Sequence, residues 1–217
     1  MKKISLFAFA LSAGLALCAQ QTTEMTRSTR LGIKAGANFS KLRPSDFGSS
    51  EPSTNLHTSL HAGVLINIPV GMGGFAVQPE VLYSGHGSKM NVKNTIGTVT
   101  TDVKYEQDMN YIDVPIMLQW KSAGGFYVET GPQAGFLVKS KQEGPGDTET
   151  DNKKSFEKFE FSWAAGLGYM TRMGLGLGAR YNHGFTNTLD NEGTSSDARL
   201  RSSVINVGLF YHIGAGK

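Results

Sequence analysis

The chain has 217 residues, with 27 glycines, one cysteine, and 21 basic against 18 acidic side chains for a formal charge of +3. That length suits one domain with a sizeable core, and a lone thiol excludes both an intramolecular disulfide framework and a cysteine-based zinc site. Glycine at roughly 12% against a usual ~7%, with charged residues scarcer than the ordinary ~25%, favours sheet over solvated helix, and the absence of a basic run excludes a nucleic-acid partner.

At the N-terminus, Lys2 and Lys3 precede an apolar run from Ile4 to Leu17, followed by Cys18, Ala19, Gln20 and Gln21. The run of about 14 residues is too short for a bilayer core that needs roughly 20. It predicts a secretory signal peptide over residues 1–20, cleaved near residues 18–21. A lipoprotein reading, with Cys18 acylated, competes with simple cleavage, although Leu17 stands where lipidation normally needs a small residue. Residues 21–30 are then a short periplasmic segment.

From Leu31 onward the dominant pattern has period two. Leu31, Ile33, Ala35, Ala37 and Phe39 alternate with Gly32, Lys34, Gly36, Asn38 and Ser40. The same alternation recurs over 57–68, 75–84, 111–120, 126–138, 159–169, 175–182 and 205–213, predicting about eight strands, the smallest size of a membrane barrel. The connections alternate between long stretches (Leu42 to Leu56, Gly87 to Lys104, Lys139 to Glu157, Phe185 to Ser202) and short ones (Val70 to Gly74, Lys121 to Gly124, Thr171 to Gly174). Short turns at one end and long loops at the other fit an outer-membrane barrel with periplasmic turns and external loops. Residues 31–213 are the predicted barrel and 214–217 a C-terminal tail.

Aromatic residues fall at both ends of the greasy phase, as membrane interfaces require. Phe75, Trp120, Phe126, Tyr169 and Tyr211 lie near the short turns or the C-terminus, and Tyr181 lies toward the long loops. Pro79, Pro115 and Pro132 sit inside strand runs, where a missing N–H predicts bulges.

Five segments carry a family resemblance: Leu31 to Ser40 (LGIKAGANFS), Val77 to Tyr83 (VQPEVLY), Tyr111 to Leu118 (YIDVPIML), Glu129 to Pro132 (ETGP) and Gly178 to Asn182 (GARYN). In this order they resemble the Bacteroidetes outer-membrane β-barrel proteins called PorT-like. The resemblance implies an all-β, eight-stranded, antiparallel up-and-down transmembrane barrel that tolerates proline at those three positions. It also implies contact with outer-membrane lipid and with the barrel-insertion machinery during assembly, and a surface or secretion-system protein as partner. The chain departs from it at the C-terminus, where residues 214–217 trail past Ile213 although such barrels commonly finish on an aromatic.

The inward phase carries Lys34 and Arg180 with Glu80, Asp113, Glu129 and Glu160. Two cations facing four acids in a narrow lumen predict a paired polar network that plugs it. His57 and His61 do not make a metal site, because four strand residues at about 3.3 Å each separate them by roughly 13 Å. Gly166, Gly168, Gly174, Gly176 and Gly178 keep a spacing of two instead of the nucleotide-loop spacing, and instead leave room for side chains of the facing wall. No cofactor is expected.

The resulting expectation is a non-enzymatic outer-membrane barrel that displays polar loops, among them Gly144 to Asp151 and Leu189 to Ser196. One alternative is a lipid hydrolase using outward-facing His183 and Ser203, with Asp190 and Glu192 in the loop between them. Another is a soluble lipocalin-like binder with the phases reversed, which would bury Val64, Val128 and Leu177 around a ligand.

Overall fold

A computed structural model describes residues 28–45, 53–71, 73–96, 99–144, 148–151, 158–186 and 199–214. The expected signal peptide, Cys18, Asp190, Glu192, the Leu189 to Ser196 loop and residues 215–217 lie outside the described residues. All regular structure among those described is strand: β1 (Arg30–Ser45), β2 (Ser53–Asn55), β3 (His57–Pro69), β4 (Phe75–Ile96), β5 (Val99–Lys121), β6 (Phe126–Gly144), β7 (Thr148–Asp151), β8 (Phe159–Met170), β9 (Leu175–Gly184) and β10 (Arg199–His212).

Eight long strands pair antiparallel around a closed circuit, β4–β3–β1–β10–β9–β8–β6–β5, with β5 returning to β4. The short β2 and β7 attach to β4 and β6 beyond the wall. Closure removes every free edge among the eight, which a sheet must do to cross hydrocarbon. Even the shortest of them, β9, has 10 residues, enough for a tilted strand to span a bilayer.

The alternation in sequence becomes an inside and an outside. Leu60, Leu167 and Leu209 are exposed on the outer surface, while Gln78, Glu80, Asp113, Arg180 and Asn182 are buried in the lumen. Exposed large hydrophobic side chains occur on all eight strands of the wall, a contiguous apolar surface that soluble monomers rarely show and that a lipid-facing wall requires. Val64, Val128 and Leu177 are each more than half exposed. This overturns the lipocalin-like arrangement, which needs those side chains inside.

Glycines on β8 and β9 admit large rings from neighbouring strands instead of from the facing wall: Tyr127 pairs with Gly168, which pairs with Gly178, and Phe210 pairs with Gly176. A Cβ on Gly176 would collide with the Phe210 ring, and one on Gly168 or Gly178 with the Tyr127 hydroxyl. Leu65, Tyr127, Met170 and Phe210 thereby close into an apolar collar, with Tyr127 and Phe210 edge to face at 5.8 Å.

Two local expectations are corrected. Gly87 to Lys104 forms no loop: β4 and β5 stay paired from Gly87↔Asp108 to Ile96↔Val99, so the hairpin runs far beyond the wall. Val92, Thr95, Val99, Thr100, Thr101 and Val103 carry the β-branched signal that favours this. Strand likewise extends through Leu42 to Ser45, Lys139 to Gly144 and Thr148 to Asp151.

The bulges expected at the prolines are also absent. Pro79↔Ile116 and Leu82↔Asp113 share one register, as do Leu65↔Glu80 and Ile68↔Val77, and Pro115↔Gln133 and Leu118↔Thr130. A missing donor interrupts pairing on one side but adds no residue, so the ladder resumes in step. The register shift occurs instead at Asn110/Tyr111 against β6.

Candidate functional site

The lumen concentrates the buried polar chemistry of the described residues. Glu80 on β4, Glu129 on β6 and Arg180 on β9 project inward from separate parts of the wall because each holds the inward phase of its strand. Arg180 clamps both acids. Its Nε donates to Glu129 Oε1 at 2.8 Å, Nη2 to Glu80 Oε1 at 2.8 Å, and Nη1 to Glu80 Oε2 at 3.1 Å. Lys34 Nζ approaches the same Glu80 at 3.3 Å.

Neutral amides complete this layer. Gln78 Nε2 donates to Glu80 Oε1, Gln119 Nε2 to Glu129 Oε2, and Asn67 Nδ2 to both Gln78 and Gln119. Two cations meet two carboxylates, and the remaining carboxylate lone pairs find amide donors. That arrangement meets the requirement for charge out of water: pairing plus hydrogen bonds.

Asp113 and Glu160 do not join that clamp. Asp113 Oδ2 lies 3.2 Å from His86 Nε2, and both side chains are nearly inaccessible; the His86 ring stacks on Tyr111 at 4.8 Å. Glu160 is buried, with Oε2 lacking a hydrogen-bond partner, and Asp113 Oδ1 and His86 Nδ1 are likewise unpartnered. The six residues expected to form one network therefore divide into a four-residue clamp and an outlying acidic group.

Between the two lies an amide relay. Asn182 Nδ2 donates to Asn206 Oδ1, Asn206 Nδ2 to Asn38 Oδ1, and Asn38 Nδ2 to Ser84 Oγ at 2.9 Å. His61 Nδ1 donates to Asn38 Oδ1 at 2.6 Å, whereas His57 Nε2 lies 3.0 Å from Asp108 Oδ1. The two histidines thus serve different partners. His86 and the amides were not singled out in sequence; their only signal is a polar residue on the inward phase.

On the outer surface, Phe75 and Trp120 are cross-strand partners, as are Phe126 and Tyr169, whose rings meet edge to face at 5.1 Å. With Tyr211 they face outward around the short-turn end, and Tyr181 faces outward toward the other end. His183 and Ser203 are direct cross-strand partners. The Tyr181 hydroxyl lies between them, 3.5 Å from His183 Nδ1 and 3.4 Å from Ser203 Oγ. No hydrogen bond joins His183 to Ser203 directly among the described residues.

Residues 18–190 match the family described as outer membrane protein beta-barrel domain. No curated protein matches the chain. Among solved structures, the Neisserial surface protein A is 9% identical, with 85% of this chain and 99% of that one covered at a TM-score of 0.51. Ail, the attachment invasion locus protein of Yersinia pestis, solved with the heparin analogue sucrose octasulfate, is 11% identical over 85% and 99% at 0.47. OprG from Pseudomonas aeruginosa is 12% identical over 85% and 96% at 0.43. With the family matched across most of its length and a closed eight-stranded barrel greasy on the outside, the chain belongs to the outer membrane protein beta-barrel domain family and resides in the outer membrane.

Proposed function

We propose that this protein is a non-enzymatic outer-membrane scaffold whose lumen is plugged and whose long hairpins are displayed at the cell surface. The observation that carries the reading is the Arg180 clamp, which ties β9 to β4 and β6 across the lumen through three buried charges and the part-buried Lys34. An eight-stranded barrel is only wide enough for side chains to fill, and charges joined in this way support a lumen closed to a continuous water column. Opposite the short turns, the β4–β5 hairpin reaches Ile96↔Val99, well past the ~9–11 residues a strand needs to cross a bilayer.

In this reading the short turns face the periplasm, and the leader over residues 1–20 directs export. The five motif segments resemble those of PorT-like Bacteroidetes barrels, and that resemblance supports a surface or secretion-system protein as partner for the hairpins. Outer-membrane lipid covers the greasy belt, and the insertion machinery acts on it during assembly. Reconstitution in planar lipid bilayers tests the plug: the parent protein inserts without a sustained conductance step. A stable open channel at neutral pH would overturn the reading. In the same preparation, phospholipid hydrolysis abolished by Ser203→Ala would overturn the non-enzymatic part of it.

A further inference from the structure

Four neighbouring strands of the wall, β3, β1, β10 and β9, contain no aspartate or glutamate anywhere along their length. The buried acids Glu80, Asp113, Glu129 and Glu160 belong to the other four, β4, β5, β6 and β8, and turn to the lumen. The outer face of the β3–β1–β10–β9 half therefore carries no anion of its own.

Its cations gather at one level. On β1 the outward phase reads Leu31, Ile33, Ala35, Ala37 and Phe39, and then Lys41 and Arg43. On β10 it reads Tyr211, Leu209, Val207 and Ile205, and then Ser203, Arg201 and Arg199. The register aligns the two switches: Phe39↔Ile205 is the last greasy row, Lys41↔Ser203 the first polar one, and Arg43 stands directly opposite Arg201. On β9, Tyr181 belongs to the Ile205 row and His183 to the Ser203 row. Leu31 to Phe39 matches the ~9–11 residues that a tilted strand needs to cross hydrocarbon, so the Lys41 row lies at the depth of lipid headgroups.

Like charges directly opposite one another destabilise a strand pair. Arg43 and Arg201 are such a pair, with Lys41 and Arg199 adjoining them in the ladder, and the strands on either side supply no acid to offset them. Lys41 is exposed and Arg201 half-buried. An anion shared among these cations relieves the repulsion, and phosphate suits them because its oxygens take a guanidinium fork and an ammonium together.

We infer that the hairpin-side ends of β1 and β10 form a seat for the phosphate of a phosphorylated membrane lipid. Lys41 and Arg201 hold the headgroup, Arg43 adds its charge in the Arg201 row, and the acyl chains lie along Phe39, Ile205, Ala37 and Val207. Position favours a lipid over a soluble anion, since the cations begin where the greasy rows stop and an acyl chain covers those rows while its headgroup reaches Lys41. That this is the outer leaflet rests on the orientation proposed above; the seat itself does not.

The test uses the full chain purified from membranes in detergent, with native mass spectrometry reading bound lipid and dioleoyl phosphatidate as the probe. A saturable adduct is expected, and diolein, which has the same chains and no phosphate, should give none. Arg201→Gln and Lys41→Gln should each weaken binding about tenfold, as loss of one charge-assisted hydrogen bond predicts. Lys158 is an exposed cation on the far side of the barrel, beside β6, where its carbonyl accepts from Leu137 N; Lys158→Gln should bind like the parent. Excess inorganic phosphate should not displace the lipid. The inference is overturned if phosphatidate gives no saturable adduct, if diolein or inorganic phosphate competes equally, or if Arg201→Gln and Lys41→Gln bind like the parent. It is also overturned if Lys158→Gln weakens binding as much as Arg201→Gln, which would make the cations a diffuse field instead of a seat. A retained gel-mobility shift on boiling certifies that each variant is folded. Binding in detergent reports neither conductance nor orientation, so an open channel would leave the seat standing and a failed seat would leave the plug standing.

Discussion

The two halves of the lumen solve the burial of charge in opposite ways. Nearer the short turns, Arg180, Lys34, Glu80 and Glu129 balance in sign, and amides cap the remaining carboxylate lone pairs. Toward the long hairpins, Asp113 and Glu160 face a single histidine, and Asp113 Oδ1, Glu160 Oε2 and His86 Nδ1 are left without partners. The contrast assigns the cohesion of the barrel to the first half. A fully matched set of buried charges is costly to break at any one member, whereas an unmatched acid already carries its penalty and has little left to lose.

The largest expected effect follows from breaking the clamp. Arg180→Met strands the buried Glu129 and leaves Glu80 with Lys34 alone, and should destabilise the barrel by about 3–5 kcal/mol, read as a lower urea midpoint for unfolding in lipid vesicles. Next comes the collar: Gly176→Ala drives a methyl group into the Phe210 ring and should cost about 1–3 kcal/mol in the same titration.

The outer half should respond less. Asp113→Asn keeps an acceptor for His86 and should change stability by no more than about 1 kcal/mol. Glu160→Gln should be neutral or stabilising, because it removes a buried acid that shares one histidine with Asp113 and whose Oε2 has no hydrogen-bond partner. A Glu160→Gln loss as large as that of Arg180→Met would erase the distinction between the halves. Smallest of all, Ser122→Ala removes one exposed turn hydrogen bond to Phe126 O and should cost about 0.5 kcal/mol.

Much of this design was legible locally. Period two divided each strand into a greasy and a polar face, so Val64, Val128 and Leu177 could be placed opposite Glu80, Glu129 and Arg180 on that signal, while the loop lengths and the aromatic positions favoured the greasy face as the one that meets lipid. Which acid meets which base was not legible, because Arg180 and Glu80 stand 100 residues apart. Their encounter depends on the stagger accumulated around the closed wall, and a strand's own sequence does not record it. His86 was masked by its neighbours Gly85 and Gly87, which resemble a turn, although β4 runs straight through them. The extended hairpin was hidden for a related reason. Above the membrane both faces of a strand are wet, so the greasy-polar alternation fades and only β-branched propensity remains.

The Arg180 clamp as a matched, lumen-closing unit is tested most directly by comparing Arg180→Met with a fully neutralised set: Lys34→Met, Glu80→Gln, Glu129→Gln and Arg180→Met together. The quantity measured is the urea midpoint in vesicles. If the penalty of the single variant comes from stranded charge, the neutralised barrel should recover most of the lost stability. If it unfolds as early as Arg180→Met alone, or if Arg180→Met unfolds no earlier than the parent, the clamp does not hold the barrel together.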